Sequence, residues 1–583
     1  MNNNFTLPIG YLENKEKLDS NIKEDLEFYK TKEQEQEQEQ EQEQEQEQEQ
    51  EHQTEDRESL IEKILKPESI IEKENINHNF EYYTNNKLFL KQTQDIIKKL
   101  KPKDSSSKEL YDKFYNRWHN IRNDENFIDR FYYVDIEFFK FLNNSSYFLQ
   151  ILSLYNILSP VLSLLIPILM LIVPFFMLKI SGVKISISSY LTVLKSIFAK
   201  HALGNITNIL DSMSWEKRAY GIISIGFYLF SIYQNSLVCY RFYQNFKDIH
   251  EDLFLVLDYL NKTIDNIEDF TLVIKTHNTY TPFLNDIQKF KDECIAFKNN
   301  LTKISKFDIN HLGPKIYEIG YVMKYFYEIH LNHNVKSLID YSFGFNAYYE
   351  NMHSIYNLYN KKIITKCKFG KKLKFKNIYN AYLFDMNPVK NDIEFNKNII
   401  ITGPNAAGKT TILKSILFNI IFTQIYGLGF YDSATMPLYN KIHCYLNIPD
   451  TSGRDSLFQA EARRCKEIID SLKSKETHFC VFDELFSGTN PNEACSSSYG
   501  FIKYMLNQKI DFILTTHLHE LCDNLDSTVK NLNMEVIEND NHLEYTYLLK
   551  NGISSIKGGI KVLKDLSYPD EIIKESLMFR SNY

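Results

Sequence analysis

Residues 398–417 read NIIITGPNAAGKTTILKSIL, and this stretch decides the fold of the C-terminal part of the chain. Ile399, Ile400 and Ile401 form an apolar run of strand type, and a helical pattern begins at Thr411. Between them lies Gly403-Pro404-Asn405-Ala406-Ala407-Gly408-Lys409-Thr410, a glycine-rich turn of the kind that cradles phosphate. Gly403 and Gly408 permit backbone angles that turn successive N–H groups inward. The helix that follows adds positive potential at its first turn. In this arrangement Lys409 is expected to reach the β- and γ-phosphates of ATP, and the Thr410 hydroxyl to bind Mg2+, with Thr411 closing the loop. The fold expected from about residue 376 onward is therefore an α/β P-loop ATPase domain.

Two further stretches supply the rest of that chemistry. In HFCVFDELFSGTN, residues 478–490, the apolar run Phe479 to Phe482 delivers Asp483 and Glu484 to a strand end. Asp483 is expected to hold Mg2+, directly or through water, and Glu484 to polarise the attacking water as general base. In DFILTTHLHEL, residues 511–521, a second buried strand ends at Thr515-Thr516 and is followed by His517. Active sites of parallel sheets gather beyond such strand ends, where a histidine can bond a γ-phosphate. His517 and His519 stand at i, i+2 with no third ligand near them in sequence, so a zinc site is rejected.

Taken together, these residues resemble the ATPase domain of the MutS mismatch-repair proteins, a branch of the ABC-type ATPases. The likeness covers about 385–577 and rests on five stretches in the family's order: NPVKNDIEF before the loop, the loop itself, DTSGRDSLFQAEARRCKEII, FDELFSGTN and TTHLHEL. The tail from Asn531 to Ile573 follows the family's closing pattern as well. Ser456, Phe458 and Glu461 match the family's signature stretch. The resemblance implies a head-to-tail homodimer enclosing two ATP molecules, in which Ser456 reaches the γ-phosphate held by Lys409 of the partner subunit. It also implies DNA as a partner. Two positions depart from the pattern: Ala407 stands where glycine is common, and Asn387 where histidine usually precedes Pro388.

The remainder of the chain does not follow the mismatch-reading members. The whole chain has 583 residues, enough for three or four domains, and 67 basic against 75 acidic residues give a net charge of −8. An overall basic protein is thereby excluded, although a local basic patch is not. Eight cysteines without a C-x-x-C pair exclude a disulfide framework and point to a reducing compartment. No signal-peptide pattern occurs in the first thirty residues. Residues 33–51 repeat Glu-Gln, and 1–105 as a whole read as a low-complexity, weakly structured leader.

From Phe141 to Leu178 there is no charged residue, and a second uncharged run extends from Ala219 to Tyr240. About 20 apolar residues span a bilayer, so residues 106–240 are expected to form a membrane region with transmembrane helices in contact with lipid. The alternative is a pair of buried helices in a soluble domain. Pro160, Pro167 and Pro174 predict a kinked first helix. ATP use places the C-terminal domain on the cytosolic face of that membrane. Residues 241–375 read as an all-α arm, with an a/d seam of Phe246, Ile249, Leu253, Val256, Leu260, Thr263, Ile267, Phe270 and Ile274. The architecture thus resembles MutS-related proteins with membrane segments. The main expectation is a membrane-anchored ATPase moving helical arms; the alternative is a DNA-binding repair or recombination factor.

Overall fold

The computed structural model describes residues 5–29, 58–102, 107–180, 182, 186–198, 215–305, 318–446, 456–473, 475–525, 527–538, 543–554, 556, 563 and 568–581. The Glu-Gln repeat lies outside the described residues. Two compact units are formed: Met1–Ser105 with Asn266–Lys289 and Ser342–Tyr583, and Ser106–Asp265 with Phe290–Tyr341.

The first unit is a mixed α/β domain built on two sheets. Its six-stranded sheet runs in the order Leu543–Asn551, Lys530–Glu538, Ile399–Thr402, Asp511–Thr515, His478–Asp483, Lys441–Tyr445. Every neighbouring pair is parallel except the first, which is antiparallel. The central strands are apolar on both faces because helices cover both sides; Ile399, Ile400, Ile401, Phe512, Ile513 and Leu514 are all fully buried. The register pairs Ile401 with Thr515 and Thr515 with Asp483, so three strands end at one level. A five-stranded sheet precedes and interleaves with this one in sequence, in the order Asn391–Glu394, Lys374–Ile378, Ser433–Met436, Thr365–Phe369, Leu428–Gly429.

The described part of residues 1–105 is folded onto this domain, contrary to the leader expected from composition. Strands Lys15–Lys17 and Tyr82–Thr84 pair antiparallel. The Tyr83 hydroxyl bonds the backbone of Asn440 and Ile442 at the edge strand. Phe28 packs edge-on against Phe80 and Phe418, with ring centroids 5.3 and 5.8 Å apart. Gln94 donates to the carbonyls of Cys367 and Gly427. Gly427 ends the helix Lys409–Tyr426 with φ +73°, and a Cβ there would lie 2.8 Å from the Leu90 carbonyl. Only glycine accommodates both the angle and the approach. The apolar side chains hidden between the Glu-Gln repeat and residue 105 outweigh the polar average that the repeat imposes on the segment.

The second unit is helical. Its core holds Trp118, Phe114, Tyr259, Phe131 and Phe326, and the buried Asp252 pairs with the partly exposed Arg117. Helix Trp215–Ile274 runs unbroken for 60 residues; its part up to Asp265 belongs to this unit and its part from Asn266 to the first, and all nine residues of the expected seam are buried. The boundary expected at 240/241 therefore falls inside one helix.

Helix Ser146–Ile180 runs continuously through all three prolines. Pro160 has no N–H to offer the Asn156 carbonyl, and the Ser159 hydroxyl donates to that carbonyl at 3.1 Å instead. The polarity of this helix is inverted. Ser153, Asn156, Ser159 and Ser163 are buried at helical spacing, whereas Ile151, Leu158, Val161 and Leu164 face outward. The buried side chains form a polar seam with the second apolar helix: Ser159 donates to the Asn235 carbonyl and Tyr228 to the Ser163 carbonyl. Asn235 also donates to the Ser163 hydroxyl. Ile222, Phe227, Phe230 and Tyr233 on that second helix are exposed.

Candidate functional site

The three level strand ends carry the loops that make the site. Gly408 is the N-cap of helix Lys409–Tyr426 with φ +90°, and Ala406 is also left-handed at +63°. Gly403, Pro404 and Ala407 are buried, while Asn405 and Ala406 face solvent at the tip. The Ala407 N–H bonds the Pro404 carbonyl, and Ile412 returns to Gly408 as the first helical bond; Thr411 lies exposed beside it. The loop thus leads directly into an unpaired helix N-terminus.

Lys409 is almost fully buried and folds across its own loop. Its Nζ donates to the carbonyls of Gly403 and Pro404 at 3.1 and 3.3 Å, and lies 3.0 Å from His517 Nε2 and 3.5 Å from Glu484 Oε1. Burial lowers the lysine pKa, opposed by the carboxylates of Glu484 and Asp483. Thr410, next along, donates to Asp483 Oδ2 at 2.7 Å, and the other Asp483 oxygen accepts from Thr515. One hydroxyl from the loop helix and one from a neighbouring strand therefore fix the carboxylate from both sides.

Glu484 follows in a left-handed conformation, φ +49°, with its N–H bonded to the Thr515 carbonyl. His517 Nε2 lies 2.8 Å from Glu484 Oε1. That bond first, and then the electrostatic influence of His517 and Lys409, hold the Glu484 carboxyl below the usual carboxylate range despite partial burial. Lys409, Thr410, Asp483, Glu484 and His517 are thus brought together.

Ser456 is not part of this cluster. It is exposed and caps helix Leu457–Ser471, accepting from the Gln459 N–H while the Gln459 side chain accepts from the Ser456 N–H. Glu461, one turn further on, is buried and reaches back towards the acidic loop. Its Oε1 accepts from the Ser487 N–H at 3.0 Å and from the Ser487 hydroxyl at 2.8 Å; its Oε2 accepts from the Gly488 N–H at 3.1 Å.

Sequence reasoning missed a cavity of about 200 Å³ beside the loop, lined by Tyr379, Leu383, Val389, Ile412, Met534 and Tyr547 among others. Its lining comes from both sheets. Asn391 fastens them by accepting from the Leu549 N–H at 2.7 Å and donating to the Tyr547 carbonyl at 3.0 Å. The NDI triplet at 391–393 was a visible signal for that clasp. Nothing in the sequence spacing announced Tyr547, which lies more than a hundred residues from the loop it borders. This largely apolar cavity adjoins the glycine-rich loop at Gly408 and Ile412.

Comparison with known proteins places residues 399–581 in the family model for MutS domain V. The DNA mismatch repair protein MutS of Bacteroides fragilis is 31% identical over 184 residues, which is 30% of this chain and 21% of that protein. MutS protein homolog 4 of Mus musculus is 31% identical over 188 residues, or 30% and 19% of the two chains. The MutS of Pseudothermotoga lettingae is 28% identical over 196 residues, or 32% and 24%. This chain spans about a fifth of the length of the relatives it matches.

Proposed function

The chain belongs to the MutS family through its domain V, and from that premise we propose that it binds and hydrolyses Mg-ATP as a homodimeric repair or recombination ATPase acting with DNA. The observation that carries the proposal is the junction of Thr410–Asp483 with Lys409–Glu484–His517 at one helix N-terminus.

The phosphates of ATP fit the turn Gly403–Gly408, where Lys409 supplies a cation, and the base fits the cavity bordered by Tyr379 and Tyr547. The Thr410 hydroxyl and Asp483 carboxylate are hard oxygen donors 2.7 Å apart, a set suited to Mg2+. Thr410 and Asp483 would hold the Mg2+, which when bound would supply charge neutralisation to the nucleotide phosphates. Glu484, held ionised beside His517, accepts a proton from the attacking water, and His517 also bonds the γ-phosphate. Ser456 acts in the partner's site. Its oxygen is engaged by Gln459, but its hydroxyl hydrogen remains available to a γ-phosphate facing the helix N-terminus.

The test is a titration of the full chain with a fluorescent ATP analogue. Lys409→Ala is expected to abolish binding, and Glu484→Gln to retain binding, stop turnover and accumulate an ATP-bound dimer in sedimentation. Unchanged affinity in Lys409→Ala would overturn the site.

The relatives' names favour this repair reading over a membrane-anchored one. A second reading is retained because of the inverted polarity of the two apolar helices: polar side chains inward and large apolar ones outward suit lipid better than water. Helix Ser146–Ile180, at about 1.5 Å per residue, exceeds the roughly 30 Å of a bilayer core. In this reading the pair anchors the chain in a membrane with the ATPase domain in the cytosol. Resistance of the full chain to alkaline carbonate extraction supports it; release into the soluble fraction removes it.

A further inference from the structure

Residues 360–380 read NKKIITKCKFGKKLKFKNIYN, with eight lysines and no acidic residue, in a chain whose net charge is −8. The fold arranges these lysines on one surface. Strands Thr365–Phe369 and Lys374–Ile378 flank Ser433–Met436 in the five-stranded sheet. The register pairs Cys367 and Phe375 with Ala434, and these three face inward and are buried. Alternation then turns Lys366, Lys368, Lys374 and Lys376 to the opposite face, where Lys368 and Lys374 stand on either side of Thr435. Lys371 and Lys372 extend the row through the connecting turn and are exposed.

Nearby acids offset only part of this charge. Asp95 pairs with Lys366 at 3.4 Å and Glu394 with Lys374 at 3.6 Å. Asp432 is engaged by Lys390 and Asn377, and Asp392 by the Asn377 N–H. Among the described residues, no carboxylate lies within ion-pair distance of Lys368, Lys371 or Lys376.

We propose that this lysine face of the five-stranded sheet is a contact surface for the phosphate backbone of duplex DNA. The choice of occupant rests in part on the repair reading above; the rest comes from the chemistry of the face. Lysines without arginine offer point charges to phosphates and lack the fork that reads guanine edges. Phe375 and Tyr379 are buried, so the face presents no stacking platform for single-stranded bases. It also lacks the exposed large apolar side chains with which an interfacial segment enters a lipid headgroup layer. Binding here is accordingly independent of sequence and sensitive to salt.

The test uses the full chain in neutral detergent, a short labelled DNA duplex followed by fluorescence anisotropy across a salt series, and phosphatidylserine vesicles as a parallel probe. The triple variant Lys368→Glu, Lys371→Glu, Lys376→Glu is expected to weaken duplex binding at least about tenfold. It should also flatten the log–log salt dependence by about 2.7, at about 0.9 for each phosphate no longer neutralised. A Lys→Gln version is expected to change both in the same direction, and ATP turnover without DNA should be unaltered in either. If wild type binds duplex and the triple variant binds it equally, the surface is wrong and the repair reading stands. If wild type binds no duplex, both fail. Vesicle binding abolished in the triple variant, without duplex binding in wild type, overturns the proposal in favour of an anionic lipid surface.

Discussion

Glu461 accepts the Gly488 N–H at 3.1 Å, tying the helix that begins just after Ser456 to the loop that begins at Asp483. With its two bonds to Ser487, this carboxylate joins the helix capped by Ser456 to the loop that carries Glu484. Glu461→Ala is expected to lower kcat while leaving the KM for ATP near wild type, because the acidic loop is released and the phosphate turn is untouched. Ser487 and Gly488 are open to water, so the stability lost should stay near about 1–3 kcal/mol. Equal changes in kcat and KM, measured by steady-state ATPase assay, would speak against this role.

His517→Ala should move the acid limb of the kcat–pH profile to higher pH. The bond from His517 is the first cause of the lowered Glu484 pKa, so its removal lets that pKa rise. A carboxylate with a lowered pKa stays ionised further into acid, and the stability gained from its pairing is lost only as pH falls through that lowered value. An unmoved acid limb would remove Glu484 from the role of general base.

Gly408→Ala is expected to weaken ATP binding about tenfold, read by nucleotide titration. The new Cβ would sit at φ +90° and 3.0 Å from Tyr547 Cδ1, straining the turn and displacing a ring that lines the adjoining cavity. Tyr547→Ala should relieve the clash without restoring affinity, since the cavity then loses its wall.

The two apolar helices yield a sharper test than deletion. A charge at the centre of a bilayer costs about 2.5–3.5 kcal/mol, whereas the same charge on a water-facing helix costs little. Leu158→Lys combined with Phe227→Lys, both on outward-facing residues, should therefore reduce carbonate-resistant protein if lipid covers the pair. Unchanged fractionation counts against lipid there.

Most of the phosphate site was legible because its parts are local. Strand, turn and helix lie within twenty residues at 398–417, and each acidic or histidine loop directly follows its own strand. The cavity beside the loop and the Asn391 clasp were not, since Tyr379, Asn391 and Tyr547 are far apart in sequence and meet only in the folded domain. The N-terminal segment was misread for a different reason. Its two capping boxes, Ser59 with Glu62 and Ser69 with Glu72, are visible signs of helices, but the adjoining repeat dominates the composition.

The bond from Gln94 to the Gly427 carbonyl spans 333 residues of sequence. A ribosome adding about 5–20 residues per second releases Gln94 tens of seconds before its acceptor exists. Throughout that interval Phe28, Ile64 and Ile97, buried in the finished domain, have no sheet to cover them. The nascent chain therefore has to be kept from aggregating while its middle and C-terminal parts are made. Its folding is paced by synthesis of the last third of the chain and not by local helix formation.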